Sequence, residues 1–339
     1  MFNNSRKPLR TLFYGLTHEH APGKLRSLMQ LRDQFEVVAV VDDSPRHSPS
    51  YRDQPWDALG CKIVSEEEAW RIPGIEVGLV ETTNCDLMEI AGRFAERGIP
   101  MHCDKPCGED FGRYREVVET CRRKHLPMQI GYMYRANPAV KFVWDFVRSG
   151  GLGEVRFIEA DMNHAYNHDN YAEYMETFRG GILYSLGAHL VDLVAPMIAG
   201  EPVRVTRSLK SASGYPPGGK TDGLALLEFP TTTVLIRTAC ELPGGILCRR
   251  LRVDGTNGTV DLCPIERFDG EELKLRLTLR RAAGGYEAGG HELAFGMQTD
   301  RYAPQLRELA AVVRGERANE QDYDHDLRVH ALLLQMVEG

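Results

Sequence analysis

The chain has 339 residues, 42% of them hydrophobic, and a formal net charge of -7. That length exceeds what one core usually fills, so two domains are expected; interspersed acidic and basic residues exclude a nucleic-acid groove or a membrane surface as the main partner. Eight cysteines without a C-x-x-C pair read as reduced core thiols, and the polar start MFNNSRKPLR, with no later apolar run of bilayer length, points to the cytoplasm.

In chain order, the apolar run Leu9 to Tyr14 predicts a strand leading into Gly15 and a helix with Pro22 in its first turn, ending near Leu31. A second strand, Phe35 to Val41, is apolar at nearly every position, as in a parallel sheet covered on both faces, and ends in Asp42-Asp43. Strands follow at Lys62 to Val64 and Val77 to Val80, with a capping box at Ser65 and Glu68 between them. A helix from Asp86 to Arg97 stops at Gly98; strands at Pro100 to Cys103 and Met128 to Tyr132 flank a helix at Phe111 to Lys124, and another helix runs from Pro138 to Ser149. This alternation predicts a doubly wound parallel sheet over residues 1–150.

After Gly150 strands follow strands: Val155 to Met162, Val203 to Leu209, Leu224 to Phe229, Thr233 to Ala239, Leu251 to Gly255, Thr259 to Leu262 and Leu273 to Arg280. One helix is expected at Leu186 to Ile198, and two, Tyr302 to Val313 and His325 to Val337, close the chain. The expected class is α/β, with an α+β second domain over 151–339 built on a large, mostly antiparallel open sheet; its last helices can pack back on the first domain.

A dinucleotide pyrophosphate needs a tight backbone turn aimed at a helix N-terminus. The turn Gly15-Leu16-Thr17-His18-Glu19-His20 matches G-x-G-x-x-G only at Gly15, with Thr17 and His20 at the second and third glycine positions. Its placement between strand and helix is right, Thr17 offers a hydroxyl to a phosphate, and Asp42 ends the second strand where ribose hydroxyls are bound. An acid there favours NAD over NADP, with Arg46 close enough in sequence to leave NADP open. The bland alternative is an ordinary strand-helix turn with Asp42 or Asp43 as a cap.

Five further motifs carry a family resemblance. Cys103-Asp104-Lys105-Pro106 resembles the Glu-Lys-Pro signature of the Gfo/Idh/MocA oxidoreductases, with Asp104 replacing the glutamate. Glu81-Thr82-Thr83-Asn84 looks like that family's Ala-Thr-Pro-Asn turn, and the run from Gly131 through Arg135 to Pro138 is similar to its stretch opening the last helix. The segment from Gly180 to Leu193 is similar to the family's glycine-rich segment and helix, and Gly255 to Thr259 to its late sheet turn. The resemblance implies a Rossmann domain, a second domain whose open sheet forms a homodimer or homotetramer interface, and hydride transfer between NAD(P) and a secondary hydroxyl of a sugar, cyclic polyol or sugar acid. It implies cofactor contacts at Gly15, Thr17, His18, His20, Asp42, Thr82, Thr83, Asn84, Asp104, Lys105, Pro106 and Arg135.

Oxidising an alcohol needs a base for the hydroxyl proton and a charge to stabilise the alkoxide. By resemblance these are His189 and Lys105, with the peptide bond before Pro106 often cis in the family. Ser185 stands where the family's dehydrogenases commonly place the aspartate that pairs with the histidine; Asp192 or Tyr184 are the nearby polar substitutes. The polar run after the first strand of the second half (His164, Tyr166, His168), together with Arg179, Tyr184, Ser185, His189 and Lys105, makes the expected substrate set. His164, His168 and either His189 or Asp169 suit a divalent metal only on a helix nothing in the sequence requires, so no metal is assigned. Two other functions stay open: redox-assisted elimination or hydrolysis of a glycoside with bound NAD, and a non-catalytic dinucleotide-binding regulator.

Overall fold

The structure is a computed structural model and describes residues 7–43, 51–165, 175, 177–212, 214–215 and 218–338. Six strands, β1 (Leu9–Tyr14), β2 (Phe35–Val41), β3 (Lys62–Val64), β4 (Val77–Val80), β5 (Met101–Cys103) and β6 (Met128–Ile130), form an all-parallel sheet in the order β3-β2-β1-β4-β5-β6. Helices α1 (Ala21–Gln30), α2 (Glu66–Ala69), α3 (Leu87–Glu96) and α4 (Phe111–Lys124) connect them. The strands read as unbroken apolar runs because helices cover both faces; Leu12, Phe13, Val40 and Leu79 are fully buried. The order reverses between β1 and β4, the adjacent pair at the switch point, so the loops leaving these two strands frame a crevice.

The helix ends follow the local sequence. Ser65 and Glu68 make the expected capping box of α2. The Asp110 carboxylate accepts the Arg113 amide at 3.0 Å to start α4, which ends with Arg122, Arg123 and Lys124 against the negative end of its dipole.

Eight strands form the second sheet: β7 (Val155–Asn163), β8 (Arg204–Lys210), β9 (Asp222–Glu228), β10 (Thr233–Ala239), β11 (Arg250–Gly255), β12 (Gly258–Leu262), β13 (Glu272–Leu279) and β14 (Gly289–Met297). Their order is β14-β13-β12-β11-β7-β10-β9-β8, antiparallel throughout except for the parallel pair β7 and β10. One face buries Ile158, Ala160, Val234, Ile236, Leu251 and Val253, and β13 alternates exposed and buried along its whole length. On the outward face Arg237 grips Asp161 through two bonds, of 3.0 and 2.9 Å.

Helices α5 (Pro138–Arg148), α6 (Gly181–Ser185) and α7 (Gly187–Val194) lie in the same half. α5 starts at Asn137, whose Oδ1 accepts the Ala139 amide at 2.9 Å and whose Nδ2 donates to the Ile265 carbonyl at 2.8 Å. Two helices, α8 (Ala303–Val313) and α9 (Tyr323–Glu338), close the chain.

By contacts the chain divides into one unit of Met1–Tyr132 with Asp300–Leu327 and a second of Met133–Thr299 with Arg328–Gly339. α5 falls in the second unit, where the Trp144 indole donates to the Leu193 carbonyl at 2.9 Å and Phe142 packs on Phe295 at 5.7 Å.

Three features depart from the expected elements. The helix expected over 186–198 is α7 followed by a 3-10 turn, Ala195–Met197, because Pro196 lacks the amide that would continue the ladder. The edge strand β14, opened by Gly289 and Gly290, is half exposed and too weakly alternating to read from sequence. The β7–β10 pairing is parallel, which the strand-rich pattern does not reveal. All eight cysteines are free thiols, four of them buried. Among the described residues no helix is long and apolar enough to cross a membrane.

Candidate functional site

In the first unit the site is built where β1, β4 and β5 end. Gly15 takes φ +104°, and a Cβ there would sit 2.5 Å from the Thr82 amide nitrogen. Only glycine permits this approach between the two loops of the switch point. The loops are knitted by the Glu81 amide donating to the Tyr14 carbonyl at 2.7 Å and the His18 amide to the Glu81 carbonyl at 3.0 Å.

The acid facing this turn is Asp43. Its carboxylate accepts the Leu16 amide at 2.6 Å and the hydroxyls of Thr17 and Thr82 at 2.5 Å each. The Asp42 carboxylate is instead bound by the exposed Arg52 at 2.5 Å. Residues on either side of one strand position point to opposite faces, so the sequence identifies the acidic pair but not which member meets the turn. The Thr17 hydroxyl, expected at a phosphate, is a donor to Asp43.

The Thr83 hydroxyl lies 3.2 Å from the Cys85 sulfur. Asn84 is buried, and its Oδ1 has no hydrogen-bond partner among the described residues. A glycine cradle at the switch point, an acid at the end of β2 and an unsatisfied buried amide oxygen beside them fit a dinucleotide.

Beneath the turn lies a buried charged cluster. Lys24, on the inward stripe of α1, donates to Glu81 at 3.1 Å, to Asp104 at 3.0 Å and to His102 Nε2 at 2.5 Å, and lies 4.7 Å from the centre of the Tyr302 ring. Burial pushes the Glu81 carboxyl well above its ordinary range, and Asp104 pushes it further. Burial acts the same way on Asp104, but Lys24, His20 and His18 outweigh it and hold that carboxyl well below its usual range. Of the two acids, Asp104 is the one whose ionised form the Lys24 ammonium favours most.

Among the described residues two sets of side chains are close enough to hold a metal ion: His18, His20 and Asp104, and Glu81, His102 and Asp104. The Lys24 ammonium already fills the second set. In the first, His18 has both ring nitrogens engaged by backbone: Nδ1 accepts the His20 amide and Nε2 donates to the Lys105 carbonyl, each at 3.1 Å.

Lys105 follows β5 and is buried, with Nζ 3.9 Å from Glu19 Oε1; the Lys105-Pro106 peptide bond is cis.

Two imidazoles of this cluster are kept neutral. Burial lowers His18 to about 4; burial, then Lys24, lowers His102 to about 3, its Nδ1 donating to Gln129 at 2.9 Å. In the unfolded chain both bind a proton below about 6.5, which the native state refuses until the lower values are reached, so stability falls as pH drops through that window. Each contributes a slope of up to about 1.4 kcal/mol per pH unit. His102→Gln should flatten the decline in urea midpoint between about pH 6 and pH 4; an unchanged slope would place the acid sensitivity elsewhere.

In the second unit His164 follows β7, and its ring lies beside the guanidinium of Arg249, which is fully buried. Arg249 also donates to the Asn163 carbonyl at 3.1 Å and binds Glu266, whose carboxylate accepts the Tyr134 hydroxyl at 2.9 Å. Tyr134 packs on His189 at 5.5 Å. His189, Ser185 and Tyr184 are buried on α6 and α7, with Tyr184 5.5 Å from Phe178. Arg135, expected at the cofactor, binds the Asp192 carboxylate through Nε at 2.9 Å and a terminal nitrogen at 2.5 Å. Arg179 is exposed and pairs with Glu338 at 2.8 Å. Tyr166 and His168, with Arg46 and Asp169, lie outside the described residues.

Sequence reading passed over Asp43, Glu19, Lys24, Glu81 and His102 in the first unit, and Tyr134, Arg249 and Glu266 in the second. The signal for three was present: Lys24 falls on the apolar stripe of α1, Glu81 ends an unbroken apolar run, and His102 is central in a strand with every residue buried.

Residues 140–261 match the GFO/IDH/MocA C-terminal domain. The rhizopine catabolism protein MocA of Rhizobium meliloti is 26% identical over 61% of this chain and 64% of its own length. The inositol 2-dehydrogenase of Rhizobium meliloti strain 1021 is 23% identical over 82% of each chain. The chain spans 64% and 44% of the first two curated relatives it matches. A levoglucosan dehydrogenase solved with NADH and levoglucosan superposes with TM-score 0.77 at 14% identity, covering 98% of this chain and 97% of that one. Residues 140–261 therefore carry a GFO/IDH/MocA C-terminal domain, and the relatives and the two sheets of this chain are similar to those of GFO/IDH/MocA-type dehydrogenases.

Proposed function

We propose that the protein is an NAD(P)-dependent oxidoreductase that moves a hydride between nicotinamide and a secondary hydroxyl of a sugar, cyclic polyol or sugar acid, with NAD the preferred cofactor. The observation that carries this reading is the Gly15 loop, pressed against Thr82 at the sheet's switch point with the Asp43 carboxylate beside it. The relatives' names, inositol 2-dehydrogenase and D-apiose dehydrogenase among them, and the NADH held by the levoglucosan dehydrogenase support both the cofactor and the substrate class.

When bound, the nicotinamide supplies the hydride acceptor. Gly15, Thr17 and Thr82 shape the bed for the pyrophosphate, and Asp43 accepts the ribose hydroxyls and repels a 2'-phosphate. Lys105 stabilises the developing alkoxide and His189 serves in proton transfer.

Two measurements test the reading. Titration with NADH and NADPH should show tighter NADH binding, and a panel of sugars and polyols should include one that reduces NAD. Asp43→Ser should weaken NADH by about 10- to 100-fold, the worth of a hydrogen bond to a charged group, and narrow the gap to NADPH. Asp42→Ser should change it little; the reverse ranking would move cofactor selection to Asp42, and no binding of either nucleotide would end the redox assignment.

A further inference from the structure

The hydrogen bonds of the two histidines in the phosphate turn call for opposite tautomers. His18 accepts the His20 amide at Nδ1 and donates from Nε2, which leaves it a neutral piece of scaffold. His20 presents Nδ1 to both carboxylate oxygens of Asp104, at 3.1 Å each. An ionised carboxylate accepts only, so neutral His20 carries its proton on Nδ1 and has Nε2 as its acceptor nitrogen. That nitrogen lies 3.6 Å from Glu19 Oε1, and Glu19 Oε1 lies 3.9 Å from Lys105 Nζ. Both gaps lie within the span of one bridging water.

We infer that Glu19, His20 and Asp104 form a proton relay that drains Lys105. This rests on the placement of Lys105 at the reacting hydroxyl in the proposed function. A proton of the Lys105 ammonium passes to the Glu19 carboxylate and on to His20 Nε2. The amine so formed takes the hydroxyl proton as the C–H electron pair leaves as hydride, which restores the ammonium. Asp104 stabilises the imidazolium, as the carboxylate of an Asp-His pair does, and His20, with a side chain 14% exposed, returns the proton to water. One proton leaves the substrate oxygen, one reaches solvent, and every relay group ends as it began.

The charged and titratable groups facing His20 come from four elements: His18 and Glu19 in its own turn, Asp104 and Lys105 after β5, Lys24 from α1, and Tyr302 before α8, its ring 5.5 Å away. Burial would raise the Glu19 carboxyl, yet His20, Lys105 and His18 keep it below its ordinary value, so Glu19 stands ionised and ready to accept. Lys24, held by Asp104 and Glu81, stays charged and fixes Asp104 in place.

Long-range proton-nitrogen NMR on cofactor-free protein labelled with 15N-histidine reads the tautomers directly, with His18→Asn and His20→Asn for assignment. The neutral form of His20 should be the Nδ1-H tautomer and that of His18 the Nε2-H tautomer; finding His20 as Nε2-H overturns the relay. In turnover, Glu19→Gln should lower kcat by about 100-fold, leave KM and NADH affinity within about threefold, and remove one ionisation from the pH profile of kcat, with Glu19→Asp recovering part of the rate. A Glu19→Gln profile superimposable on wild type also overturns it. The NMR result stands whether or not a substrate is found, whereas failure of the wild-type enzyme to bind NADH or NADPH refutes the proposed function separately.

Discussion

Lys105→Ala should lower kcat for nicotinamide reduction by about 100- to 10,000-fold while NADH affinity, measured by fluorescence, changes far less. The side chain is buried at the carboxyl end of β5, where a doubly wound sheet presents its chemistry, and its position is fixed by the backbone around it. Asp104 Oδ1 accepts the Lys105 amide at 2.7 Å, and the Lys105 carbonyl receives His18 Nε2 at 3.1 Å. A small error in the placement of the amine is therefore resisted from two sides. Lys105→Arg separates two roles for this residue. A guanidinium keeps the positive charge but does not release a proton near neutral pH. If Lys105 passes a proton on, the arginine variant should be as slow as the alanine variant; if it acts as a fixed cation alone, arginine should retain much of the rate. Turnover of Lys105→Ala within about tenfold of wild type would remove Lys105 from the chemistry altogether.

Lys24→Met should cost about 3–5 kcal/mol, the range for removing one partner of a buried ion pair. In a unit of this size that lowers the thermal midpoint by roughly 10 °C. Methionine fills most of the lysine's volume, so the loss measures charge more than packing. What remains is the Asp104 carboxylate with no exposed surface and without its cation, beside the Glu81 carboxyl, which burial already pushes up. Asp104→Asn in the same chain removes the stranded charge, and the double variant should be more stable than Lys24→Met alone. A Lys24→Met protein melting within about 2 °C of wild type would mean that Asp104 takes up a proton at little cost. The same variant bears on function: a neutral Asp104 is no longer the carboxylate that His20 Nδ1 meets in the relay, so the rate should fall along with the stability.

The parts of the molecule governed by short-range rules were legible. Apolar runs covered on both faces, the capping box at Ser65 and Glu68, and the turn opened by Gly15 lie within a few residues of their causes, and each appears where the pattern puts it. The alternation of strand and helix, and its loss after Gly150, likewise marked the two kinds of sheet. The Asp104-Lys105-Pro106 run stood out by motif, and its carboxylate and backbone join the phosphate turn in the fold.

Where partners lie far apart in the chain, the pattern was silent. Asp42 and Asp43 are chemically identical neighbours, and only the position of the β1 and β4 loops settles that Asp43 meets Thr17 and Thr82 while Asp42 faces Arg52. The parallel pairing of β7 with β10, and the half-exposed edge strand β14, depend on which strands the sheet brings side by side. The cluster of Lys24, Glu81, His102 and Asp104 draws on one helix and two strand ends separated by as many as 80 residues. By itself the sequence determined most of the elements, their order and the chemical types available, because periodicity and turn chemistry act over a few residues. Tertiary structure alone decided which charges were buried together, because the free energy of a buried ammonium or carboxylate depends on partners the chain brings near only when it folds.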